Sequence, residues 1–116
     1  MNEDDTALDL ATLGELREIL EEGLNELLAA YLHDAESQLD KLRHAVARGD
    51  SSAIVAISHS LQGSSGNLGV RGVSALCRAL EQEARHGTLT DGAASLHGIE
   101  QAFARATEGL TTFMAG

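Results

Sequence analysis

An antiparallel four-helix bundle with a short additional N-terminal helix is the fold this 116-residue sequence predicts, on three observations. Proline and tryptophan are absent and aromatic residues make up only 3% of the chain, while alanine, leucine and glutamate recur, which favours helices over a sandwich or barrel. Apolar residues return every three to four positions along most of the length. With 43% hydrophobic residues, a chain of this size buries a single core, so residues 1–116 are expected to form one domain. No repeat, low-complexity tract or linker interrupts it.

Residues 1 to 7 are acidic and polar and are expected to fray. Leu10, Leu13, Leu16 and Leu20 then recur at helical spacing in a short first helix that caps the bundle. Leu24, Leu28, Tyr31, Ala35, Leu39, Leu42 and Val46 form one stripe over about residues 22 to 48, the longest helix. Gly49 stops it, and Asp50 is the N-cap of a third helix running from Ser51 to about Leu68, terminated by Gly69. A fourth runs from about Arg71 to His86, with Val73, Leu76, Leu80 and Ala84 as its apolar stripe and Gly87 as its end. The third and fourth are joined so tightly that they must pack antiparallel. Leu96, Ile99, Phe103, Ala106, Leu110 and Phe113 line a fifth helix, for which Thr90 is the expected cap.

Charge and cysteine content restrict function. The formal charge is −10, with thirteen acids against four bases in residues 1–50 and five against four in residues 51–116. No stretch has the basic density that phosphate-backbone binding requires, so no nucleic-acid role is expected. The nearly neutral second half would not strongly repel a partner with an acidic pocket. The single cysteine, Cys77, excludes an internal disulfide, fits a reducing compartment and is expected in the core. No secretory signal and no run of about 18 apolar residues is present, so a cytoplasmic protein without membrane association is expected. The initiating Met1 and acidic opening fit a free-standing protein, expected to be monomeric.

The segment His59–Gly69, HSLQGSSGNLG, carries the chemistry. At about 100° per residue, Ile57, Leu61 and Leu68 fall roughly 160° to 180° from His59, whereas Val55, Gln62, Gly63 and Gly66 lie within about 60° of it. His59 therefore faces outward among small residues. Gly63 and Gly66 sit inside a helix, where each costs about 1 kcal/mol relative to alanine. Either they permit close helix packing or they clear a docking surface, and their place beside His59 favours docking. Val55 is a further apolar contact for a partner if it is exposed, or a core-edge residue if it is not.

On the fourth helix Ser74, Arg78, Glu81 and Arg85 share a face. Glu81 borders the apolar stripe and can lean toward His59. If it accepts a hydrogen bond from Nδ1–H, the ring is held with a bare Nε2, the atom that would attack phosphorus, and the carboxylate balances positive charge on the ring. Arg85 would contact the transferred phosphoryl oxygens.

These residues resemble the histidine-containing phosphotransfer domains of bacterial and fungal two-component phosphorelays. The likeness rests on His59, Leu61, Gly63, Ser64, Ser65, Leu68 and Gly69, followed by a helix carrying Cys77 and Glu81, and spans about 27 residues. It implies that His59 is the phosphoacceptor, that Gly63 clears the docking surface and that Glu81 orients the imidazole. The partners it implies are receiver domains of hybrid sensor kinases and response regulators, which bring the phosphorylatable aspartate, an acidic pocket and Mg²⁺. The chain itself would need no cofactor and hold no metal. Gln62 departs from the family pattern, which has lysine near the phosphate at that position. Its amide can still donate to phosphoryl oxygens, with altered rate or partner preference as the expected consequence.

Other readings have less support. His33 and His44 share a helix face but stand about 16 Å apart, and His86 and His97 offer no close ligand spacing either. With no kinase ATP-binding motif, the chain would carry phosphate without making it, a phosphocarrier and not an enzyme. The competitors are a helical-bundle adaptor that docks receivers without accepting phosphate and a receiver phosphatase.

Overall fold

The computed structural model describes residues 7–116. Among these residues there are five helices and no strand: α1 (Leu10–Leu20), α2 (Gly23–Arg48), α3 (Ser51–Asn67), α4 (Arg71–His86) and α5 (Gly92–Ala115). The expected fraying of residues 1 to 7 falls, for residues 1–6, outside the described residues; Ala7 is half-buried.

Local chemistry sets the boundaries. Asp9 and Asp50 each accept from the backbone N–H three residues on, Thr12 at 3.2 Å and Ala53 at 3.1 Å, capping α1 and α3. Gly49 and Gly87 close α2 and α4 at φ of 66° and 71°, the left-handed region where a Cβ is costly. The cap of α5 is Asp91, not Thr90: its carboxylate accepts from Ala94 N at 3.0 Å. Asp91 stands the required three residues ahead of an orphan N–H, and Thr90 is one residue too early. The third helix stops at Asn67, one residue short of expectation, because the N–H groups of Leu68 and Val70 both turn back to Ser65 O, at 3.2 and 2.8 Å. Gly69 follows with φ 75°, and its carbonyl accepts from Asp9 N at 2.7 Å, tying the start of α1 to the turn after α3.

The four long helices close a ring of contacts, α2 with α3, α3 with α4, α4 with α5 and α5 with α2, and α1 packs on α2. Leu28, Leu42, Leu61, Leu80, Ile99 and Leu110 are removed from solvent at its centre. Three expected stripes shift. On α4, Cys77 takes the buried place given to Leu76, which lies on the rim near Gly98 of α5. Spacings of three or four residues both continue a helical stripe, so the neighbours decided between them. Burial pushes the Cys77 thiol up to about 12, leaving it inert. On α2, Ala45 is buried and Val46 only partly so, because Val46 packs on Gly92 where α5 begins. On α1, Leu13 alone is fully buried; Leu10 and Leu20 are exposed at the helix ends, and Leu8 packs into the notch at Gly109 instead. Leu96 and Phe113 of α5 are half-buried, and Arg17 of α1 covers the Phe113 ring at 4.9 Å.

One buried polar pair joins α2 to α3 behind His59. Tyr31 Oη and Ser65 Oγ are 2.7 Å apart, and the Tyr31 ring meets Phe103 edge-on with centroids 6.4 Å apart. Burial pushes the phenol up to about 12, so the hydroxyl stays protonated across the working range. Tyr31→Phe is expected to cost about 1–2 kcal/mol, because Ser65 Oγ keeps its burial and loses its partner. Urea denaturation at neutral pH checks this. A variant as stable as wild type would mean that Ser65 finds a replacement acceptor within its own helix.

Candidate functional site

α3 turns Ile54, Ser58, Leu61 and Ser65 into the core, so the opposite face is set outward. His59 lies on that face with 70% of its side chain accessible. Ile57, expected on the far side from His59, is half-buried.

Across the helix pair, Glu81 of α4 is nearly enclosed, its side chain 11% accessible, and both its oxygens face Nδ1 of His59, at 3.2 and 3.1 Å. An ionised carboxylate only accepts, so Nδ1 carries the proton and donates it. Nε2 is left with its lone pair and faces away from Glu81. Arg85 Nη2 donates to Glu81 Oε2 at 2.8 Å. That guanidinium, against the opposing effect of burial and with help from the His59 hydrogen bond, holds the Glu81 carboxyl below its usual range. The expected contact between Glu81 and His59 is therefore present. Arg85 gives one N–H to Glu81, one turn back on its own helix.

The remaining residues separate into two groups. Gly63 is exposed, and a Cβ there would meet nothing within 4 Å, consistent with a cleared surface. Gly66 is also exposed, yet its Cβ would come within 3.2 Å of Ser74 Oγ of α4, so here the close-packing reading of the two glycines applies. Ser74 Oγ donates to the Gln62 carbonyl at 3.0 Å across the same gap. Gln62 is partly exposed. Val55 is half-buried and packs against the core, the core-edge alternative of its two readings. The sequence alone does not mark Ser74 as a contact across the helix pair. Its place on one helical face with Glu81 was the available signal. Ser58 Oγ, next to His59, is buried and has no hydrogen-bond partner among the described residues. Also among the described residues, no group of three or more His, Cys, Asp or Glu side chains comes together to hold a metal ion.

Glu81→Ala is expected to slow any chemistry at Nε2 by about ten- to a hundredfold, because the ring loses the group fixing its tautomer and direction. Glu81→Gln keeps an acceptor and is expected to lose less. The depressed Glu81 carboxyl also links stability to pH. Its contribution is present above the ordinary value of 4.5 and is lost as pH falls through the depressed value. Urea denaturation of wild type and Glu81→Gln should therefore show a gap at pH 7 that closes in acid. A gap that widens in acid would contradict the sign.

The Hpt domain family profile matches residues 26–109, a span that contains α3 and α4 whole and nearly all of α2. Among solved structures, the chain is similar to histidine-containing phosphotransfer protein B from Pseudomonas aeruginosa PAO1. The TM-score is 0.89 and the identity 30%, over 94% of this chain and 95% of that one. No curated protein sequence matches the chain significantly.

Proposed function

The chain belongs to the Hpt domain family and is a phosphotransfer intermediate of two-component phosphorelays, and from that premise we propose that His59 carries the phosphoryl group. One observation supports this choice above all. Among the described residues, His59 is the one of the five histidines whose ring nitrogen is held by an enclosed carboxylate, 3.1 Å away, while the rest of the ring stays open to a partner.

In the accepting direction the Nε2 lone pair attacks the phosphorus of a receiver's aspartyl phosphate. The P–N bond forms as the P–O bond to the aspartate breaks, and the aspartate departs as a carboxylate with the electron pair. Nδ1 keeps its proton throughout. Glu81 balances the positive charge the ring gathers, and Arg85 keeps Glu81 ionised and aimed. Delivery to the next receiver exchanges the same bonds in reverse. The donor is a receiver of a hybrid sensor kinase and the acceptor that of a response regulator; Mg²⁺ is assigned to the receiver's acidic pocket. Gln62 donates its amide to phosphoryl oxygens, and Gly63, where a Cβ would meet nothing within 4 Å, lets the receiver approach. Arg85 gives one N–H to Glu81 and keeps its others for those oxygens.

The chain acts as a monomeric phosphocarrier in the cytoplasm. No helix among the described residues is long and apolar enough to cross a membrane. A docking-only adaptor would leave the chain of hydrogen bonds from Arg85 through Glu81 to His59 without a task. The test is phosphoryl transfer from a phosphorylated receiver in Mg²⁺, followed by peptide mapping of acid-labile, alkali-stable label. Label on the His59 peptide supports the assignment. Label on the peptides of His33, His44, His86 or His97 would overturn it.

A further inference from the structure

We propose that Arg78 supplies the positive charge for the phosphoryl group on His59, reaching it from α4 at the level where Gln62 brings none. This inference rests on the reading of His59 as the phosphate carrier.

The argument begins with helix register. Two contacts pin α3 against α4: His59 opposite Glu81, at 3.1 Å, and Gly66 opposite Ser74, whose Oγ lies 3.2 Å from where a Gly66 Cβ would be. The helices are antiparallel, so a step of three residues inward from the first pair reaches Gln62 and Arg78. A step of four inward from the second pair reaches the same two residues. Arg78 is thus across from Gln62 and one turn, about 5 Å along the axis, from the carboxylate that holds His59.

The second step is electrostatic. A phosphoryl group on Nε2 brings close to two negative charges to a helix, α3, that contains no lysine or arginine. Arg85 is the other cation on that face, and its charge is partly offset by Glu81, to which it donates one hydrogen bond at 2.8 Å. Arg78 is exposed and makes no ion pair or hydrogen bond among the described residues, in contrast to Arg17, Arg43, Arg48 and Arg85. A solvent-facing guanidinium one turn from the acceptor is free to turn its N–H groups onto two phosphoryl oxygens, a pairing its planar fork fits well. Arg78 makes and breaks no covalent bond. It stabilises the charge on the oxygens while the P–N bond exists and while it forms.

The experiment compares transfer rates at saturating receiver for wild type, Arg78→Gln, Arg78→Lys, His59→Gln and the double variant Arg78→Gln with Gln62→Lys. Arg78→Gln is expected to slow transfer about tenfold or more, the size of a charge-assisted hydrogen bond, with an unchanged thermal midpoint. Arg78→Lys, which keeps the charge without the planar fork, should lose less than Arg78→Gln, and Gln62→Lys should restore most of what Arg78→Gln loses. A wild-type rate for Arg78→Gln would overturn the proposal. So would a slow Arg78→Gln that Gln62→Lys leaves unrestored, or a change confined to the receiver concentration needed for half-maximal transfer, which would make Arg78 a docking residue alone. The His59→Gln arm keeps the two readings separate, because label retained there would refute the acceptor assignment itself, whatever Arg78 does.

Discussion

His59→Gln is expected to accept no phosphoryl group from a phosphorylated receiver domain under conditions that label the wild type to completion. The amide of glutamine has no nitrogen lone pair able to attack phosphorus at neutral pH, so the loss is of the nucleophile itself and not of a contribution to its rate. The fold should be untouched. His59 is mostly exposed, its one hydrogen-bonding partner Glu81 retains Arg85, and surface replacements of this kind shift stability by about 0.5 kcal/mol or less. Acid-labile phosphate counts and thermal unfolding, measured on the same preparations, decide the matter. Labelled His59→Gln would move the acceptor to another histidine. Unlabelled but unfolded protein would show that His59 has a structural duty that the geometry does not reveal.

At Gly63 stability and function are expected to move in opposite directions. A Cβ at this position meets nothing within 4 Å, and a helix interior prefers leucine to glycine by up to about 1 kcal/mol. Gly63→Leu should therefore be as stable as wild type or more so. Yet its side chain would rise about 40° around the helix from His59 and one turn away, in the path of the receiver, and transfer is expected to fall at least about tenfold. Gly66→Leu is the control. There the new side chain runs into Ser74 Oγ, 3.2 Å from the Cβ position, and disturbs the hydrogen bond from Ser74 to the Gln62 carbonyl. Both stability and transfer should drop. If Gly63→Leu transferred at the wild-type rate, the docking surface would have to lie on another side of His59.

The comparison of these two glycines also shows what could be read from the chain before its structure. Both lie on the His59 side of one helix, and angular position alone assigned them the same role. What separates them is the presence of Ser74 beside one and solvent beside the other, which depends on how α4 is set along α3. Glu81 is a related case. Its helical face was legible and so was its nearness to the apolar stripe, but its enclosure and the use of both its oxygens on Nδ1 come from the contact itself. Arg85 is legible as a cation one turn from Glu81, and in the folded protein it gives one N–H to that carboxylate on its own helix.

By itself the sequence determined the helical class, four long helices to within a residue or two, the glycine stops at Gly49, Gly69 and Gly87, and an imidazole turned outward on the third helix. Those features follow from hydrogen bonds and side-chain directions repeating within one segment, where each residue's angle about its own axis is set by its number. Only the tertiary structure decided that Leu76 stays on the rim of the core, that Val55 is half-buried, that Gly66 serves Ser74, and that both oxygens of Glu81 face Nδ1 of His59. The physical reason is common to all four. How far one helix slides and turns against another is settled by the packing of many side chains from several helices at once, and no periodicity within a single helix contains that information.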